Sequence, residues 1–357
     1  MNYYGQPGSQ LPPPQMYYPP ENYVPYEEKR RIRHSYNVIG LTLLILYILT
    51  DILCTIAYRI LYSTPGMSVT FDESGIRVIS FWHLFIGTSF PALSAVIVFV
   101  GYCIFARYDP RELFRTENIK AGEMLRYIMI ILFFQKVSYL CYDFIDMALA
   151  GIGLEITEFD YTIEHTLQTY GMNVFCSVIL APIGEELIYR GVVLRCSSKI
   201  SQRFGIFFSA FIFGIMHGNP YQFLLGFLNG IILAMLTIRT GSLIPPMICH
   251  AANNFVASIP SIIGYYDNTA AYIVNLILLA VCFVSGMIVF AHAVITGKLK
   301  LPKYTAAHKA RTIPILITSW STIIIMIFYI IDIIGSVDII ETPPQEAAIA
   351  AIKIFLQ

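Results

Sequence analysis

The chain has 357 residues, a mean hydropathy of +0.65 and only 13% charged residues. A soluble domain carries about a quarter charged residues, so lipid rather than water is the natural solvent for most of this chain. Its 23 basic and 23 acidic residues cancel, which leaves no basic footprint of the kind that binds nucleic acid.

The first 35 residues are rich in Pro, Tyr, Gln and Asn and lack the apolar run of a signal peptide. They read as a cytoplasmic tail of disordered or polyproline-like character. Nine hydrophobic runs follow, at about 36–61, 78–106, 124–149, 168–194, 204–218, 221–238, 243–263, 270–296 and 312–333. Crossing the hydrocarbon core takes about 20 helical residues, so the fifth run is short and either stops inside the membrane or extends into Asn219 and beyond. The fold class expected is all-α: a polytopic transmembrane helix bundle of about nine spans, ending in a tail at 336–357. The seven cysteines (54, 103, 141, 176, 196, 249 and 282) show no C-x-x-C spacing and mostly sit in apolar runs. They read as small packing residues, not as a disulfide framework or zinc-thiolate site.

Basic residues set the expected orientation. Lys29, Arg30, Arg31 and Arg33 precede the first span. Arg107, Arg111, Arg115, Lys120 and Arg126 lie between the second and third, and Arg195, Lys199 and Arg203 between the fourth and fifth. Arg239 follows the sixth, and Lys298, Lys300, Lys303, Lys309 and Arg311 lie between the eighth and ninth. With the N-terminus cytoplasmic, all these loops fall on one side. The other side holds Asp72, Glu73, Glu155, Glu158, Asp160 and Asp267, with Arg77 the main exception. That asymmetry fits the positive-inside rule for a multi-pass protein of the cell membrane.

Charge inside a span is costly, about 2.5 to 3.5 kcal/mol for a central Asp or Arg even on the lower estimates. Glu185 and Glu186 end a run of 19 uncharged residues from Thr166 to Gly184, so they need a reason. Glu186 and Arg190 are four apart and can pair on one helical face. Glu185 points about 100° away and is left to face a cavity. Phe213 and His217 are four apart near the end of the fifth span, and His250 and Asn254 are four apart in the seventh. That seventh span opens on Gly241-Ser242-Leu243-Ile244-Pro245-Pro246, a helix-start pattern. A carboxylate, two imidazoles and an amide on three spans can activate water and stabilise an oxyanion. Taken singly, each motif also reads as structure: Glu186 with Arg190 as an ion pair, His250 with Asn254 as interhelical hydrogen-bond glue. His83 and His292 read as packed, hydrogen-bonded residues.

Three complete motifs stand in order: E-E-x-x-x-R at Glu185 to Arg190, F-x-x-x-H at Phe213 to His217, and H-x-x-x-N at His250 to Asn254. Together they resemble the CPBP intramembrane protease family, which includes the type II CAAX prenyl endopeptidases and the bacterial Abi proteins. Ala181-Pro182-Ile183-Gly184 and Gly241-Ser242-Leu243 are similar to that family too. The resemblance covers roughly 125–260. The implied division is a tail at 1–35, N-terminal transmembrane helices at 36–122, a catalytic core at 123–263, C-terminal transmembrane helices at 264–335 and a C-terminal tail at 336–357.

What the resemblance implies is an endopeptidase acting in the lipid bilayer on a membrane-anchored peptide or protein. Glu185 would activate water with help from His217, His250 and Asn254 would stabilise the oxyanion, and Glu186, Arg190 and Phe213 would support the site. The family is often labelled metalloprotease, and Glu185, His217 and His250 could ligate zinc or another divalent metal. With no H-E-x-x-H helix, the expectation leans against metal. The tail composition and single-chain plan look bacterial, so a prenylated CAAX substrate is not assumed. The alternatives are a non-catalytic immunity or adaptor protein on the same scaffold and an ion-coupled transporter. Intact motifs argue against the first and the lack of repeat symmetry against the second.

Overall fold

The computed structural model describes residues 25–65, 69–72, 76–115, 119–156, 161–302, 315–316 and 318–339. Most of the tail expected at 1–35, and the C-terminal tail from 340 onward, lie outside the described residues. Nine helical runs stand among the described residues, one for each hydrophobic run. They are α1 (Tyr26–Ser63), α2 (Phe81–Phe105), α3 (Ala121–Ala150), α4 (Leu167–Ser198) and α5 (Gln202–Ile215). After them come α6 (Pro220–Thr240), α7 (Ile244–Gly264), α8 (Asn268–Ile295) and α9 (Trp320–Gly335). Six of these, α1, α2, α3, α4, α6 and α8, are long and apolar enough to cross a membrane. The chain is an all-α polytopic bundle.

Burial follows a lipid solvent. Ile45, Ile48, Ile52, Ile56 and Ile60 of α1 recur at helical spacing and are all exposed. A soluble helix would turn such a stripe inward, whereas a membrane helix can leave it to acyl chains. Only 11% of the most apolar stretch of α8 is buried. The central helix is α4. It packs on α2 on one side and on α5 and α7 on the other, while α1 braces α2 from outside, α9 packs on α1, and α3 and α8 close the far flank.

One helix start differs from the hydropathy reading. α1 begins at Tyr26, inside the stretch expected to be tail, because Glu27 and Glu28 in its first turn and the following basic residues form helix readily above the membrane. α9 is continuous from Trp320; residues 312–314 and 317, where the ninth hydrophobic run begins, lie outside the described residues. Ser319 and Ser321 just before and inside its first turn donate hydrogen bonds to Asn37 of α1 (2.6 and 3.0 Å), which fixes the entry of α9 against α1. α5, 14 residues long, spans only about 21 Å. It ends at Ile215 and turns through Gly218, whose φ of 72° suits glycine, into the N-cap Asn219 of α6.

Short strands join the helix ends on one face. β1 (Thr70–Phe71) pairs with β2 (Arg77–Ile79), and β2 pairs with β4 (Tyr161–Ile163). β3 (Leu154–Ile156) pairs with β5 (Val337–Ile339) after α9. The loop after α1, the loop after α3 and the segment after α9 therefore lie on the same side of the bundle, as an alternating nine-helix path requires.

Candidate active site

α4 is not a uniform helix. Two π-helical segments, Cys176–Leu180 and Tyr189–Leu194, bracket the regular α-helical piece Ala181–Ile188 that carries both glutamates. Single π turns inside α-helices are frequent at functional sites. Each segment here hands a carbonyl to a neighbouring helix: Asn254 Nδ2 donates to Ser177 O at 2.8 Å, and Ser209 Oγ donates to Tyr189 O at 2.7 Å.

The two glutamates take different environments. Glu186 is fully buried and Arg190, one turn on, is 1% exposed; Arg190 Nε lies 3.1 Å from Glu186 Oε2. The Glu186 side chain also reaches a third member that helical spacing does not reveal, since His250 Nδ1 sits 3.0 Å from its Oε1. Glu185 keeps 23% of its side chain exposed, and its Oε2 lies 3.7 Å from His250 Nε2. The His250 ring thus stands between the two carboxylates, one bonded and buried, one open.

Phe213 is the wedge of the cluster. The Arg190 guanidinium lies over its ring at 4.3 Å, and the rings of His217 and His250 meet it edge-on at 5.1 and 5.7 Å. Its backbone carbonyl accepts a hydrogen bond from His217 Nδ1 at 2.8 Å. This assigns the Nδ1 proton and leaves Nε2 of a neutral His217 as an acceptor. His217 stands in the turn just after α5, and Gly226 of α6 makes room for it. A Cβ at Gly226 would lie 3.3 Å from the imidazole Cε1 and Nδ1 atoms.

A chain of amides backs Asn254, and the sequence reading missed it. Asn253 Nδ2 donates to Asn254 Oδ1 (3.0 Å), Asn229 Nδ2 to Asn253 Oδ1 (3.3 Å) and Gln135 Nε2 to Asn253 O (3.1 Å). Gln135 and Asn229 each stand as a single amide in an apolar run, which was the available signal. His83 is buried and bonded to Ser80 and Tyr62 as expected. His292 is not packed as expected but exposed, on the outer face of α8.

Glu185, Phe213, His217, His250 and Asn254 line one cavity of about 680 Å³. Glu186 and Arg190 stand behind it. Among the described residues no three His, Cys, Asp or Glu side chains converge to hold a metal.

Fold and site define a polytopic membrane protein with a carboxylate–imidazole cluster facing a cavity within its helices. Residues 168–256 match the family model described as type II CAAX prenyl endopeptidase Rce1-like. That segment runs from the start of α4 into α7 and contains all three motifs; α1, α2, α3, α8 and α9 lie outside it. No curated protein and no solved structure matches the chain.

Proposed function

We propose that this chain is an intramembrane endopeptidase that hydrolyses a peptide bond of a membrane-anchored peptide or protein with a water activated by Glu185. The observation that carries the reading is that Glu185, His217, His250 and Asn254, drawn from three separate motifs, line one cavity. The family match over the same segment supports it.

Glu185 takes a proton from water as the water oxygen bonds to the scissile carbonyl carbon and the C=O π pair moves onto oxygen. The oxyanion needs donors. His250, bonded to the Glu186 carboxylate through Nδ1, turns Nε2 toward Glu185 and the cavity, where its N–H would face the oxyanion. Asn254 spends one amide N–H on Ser177 O, which leaves its second for the oxyanion. His217, with Nδ1–H held by Phe213 O, offers Nε2 to orient the water. Collapse of the adduct breaks the C–N bond, and the proton held by Glu185 passes to the leaving amine. Glu186 and Arg190 are positioning residues that act through His250 and Phe213. No step uses a metal.

Purified chain in proteoliposomes tests this with a membrane-anchored peptide library read by mass spectrometry of new termini. Glu185→Gln and His217→Ala are expected to lower cleavage by about a hundredfold or more while eluting as folded protein. Wild-type cleavage by both variants would remove the assigned roles.

A further inference from the structure

Resting on the endopeptidase reading, we infer that substrate reaches Glu185 from the side of the membrane opposite the cytoplasm, so that the substrates are membrane-anchored chains whose scissile segment is presented on that side. The two ends of the bundle differ in charge. The end without strands carries Lys29, Arg30 and Arg31 at the start of α1, Lys199 and Arg203 at the α4–α5 turn, and Arg239 at the end of α6. The strand-bearing end holds Asp72, Glu155 and Asp267, with Arg77 as the one base among these loop residues. The positive-inside rule places the basic end in the cytoplasm.

The site opens the other way. The cavity that holds Glu185 and His217 is also lined by Ile156 of β3, Ile163 of β4 and Asn219 of the α5–α6 turn, all at the strand-bearing end. A second cavity of about 560 Å³ touches Glu185 from its other flank, and it too reaches toward that end, past Met216 and Asp332. At the basic end the chain is packed shut below the site. Ser242 and Leu243, which lead into the helix carrying His250, are fully buried; Ser242 Oγ and Leu243 N donate to Leu113 O at 3.2 and 2.7 Å. Opening a path there would break these hydrogen bonds and expose the start of α7, whereas the residues lining the cavity already reach the strand-bearing end.

The mouth also suits such a substrate. Tyr142 and Tyr221 border it with ring centroids 4.5 Å apart. Tyrosine is favoured at the membrane–water boundary, where the extended segment next to a membrane anchor lies. A C-terminus lipidated on the cytoplasmic side would meet the closed end.

The test separates direction from chemistry. The full chain is produced in the cytoplasmic membrane of a bacterial host with Gln222→Cys or Tyr266→Cys at the strand-bearing end, or Gln202→Cys at the basic end. Spheroplasts are treated with a membrane-impermeant maleimide, and labelling is measured above that of the unsubstituted chain. Gln222→Cys and Tyr266→Cys should gain label in intact spheroplasts, and Gln202→Cys only after permeabilisation. The reverse pattern, or equal labelling of all three before permeabilisation, overturns the inference. In parallel, one peptide library is tethered to a single-span anchor on either face. Cleavage of the outward library alone, lost in Glu185→Gln, is expected, and cleavage of the inward library overturns the inference. Cleavage of neither, with outward labelling intact, overturns the endopeptidase reading and with it the substrate class, but not the direction in which the cavity opens.

Discussion

Adjacent glutamates on one helix do unlike jobs because a 100° rotation sends one inward and one to a cavity. Glu186 is held by Arg190 and His250 with no exposure to solvent. Removing its charge leaves the Arg190 guanidinium buried without a counter-ion, so Glu186→Gln should destabilise the folded protein by about 3 kcal/mol or more, read as a lower unfolding midpoint in detergent. Glu185→Gln touches a partly exposed group and should leave that midpoint within experimental error while abolishing cleavage. The Glu186–Arg190 pair was legible in the sequence, since i, i+4 spacing is local. The His250–Glu186 bond was not, because it joins residues 64 apart and depends on how α4 and α7 meet. Phe213 was legible only as part of a motif; its place between Arg190 and the two imidazoles is a property of packing.

At the scale of elements, the nine hydrophobic runs gave the nine helices, because twenty apolar residues in lipid have few alternatives to helix. The π segments of α4 were not legible, as no local residue pattern distinguishes them from α-helix. Nor were the strands, which at two or three residues each are too short for an alternating pattern to register. The α5–α6 hairpin carries a prediction of its own. Gly214 and Gly226 let the two helices approach closely: a Cβ on Gly214 would come within 2.7 Å of the Phe223 carbonyl oxygen. Gly226 faces the His217 ring, so Gly226→Val should displace the imidazole and lower cleavage by about tenfold to a hundredfold. Near-normal yield and helicity by circular dichroism would show that the effect is local. Unchanged cleavage would mean that His217 need not be held where it is.

For the whole molecule, the bundle places a small polar cluster inside an apolar body, facing a cavity of about 680 Å³ with a second cavity on the other flank of Glu185. The donor set facing that cavity does not assemble a metal site among the described residues. On the proposed mechanism, in which Glu185 alone takes the proton from water, prolonged dialysis against a strong chelator, followed by assay in metal-free buffer, should leave cleavage unchanged; loss of cleavage restored by zinc would give His250 and Glu185 a different task. The overall helical plan was legible in composition and hydropathy, and the three motifs marked the site. The converging geometry was not, since it arises from α4, α5 and α7 meeting across long sequence separations.

The central claim, that Glu185 activates water for peptide hydrolysis, is tested most directly by single-turnover cleavage of a membrane-anchored peptide in H₂¹⁸O with wild-type and Glu185→Gln proteoliposomes. One ¹⁸O atom in the new C-terminal carboxylate from wild-type protein, and no product from Glu185→Gln, is the predicted result. Equal cleavage by both proteins would contradict it.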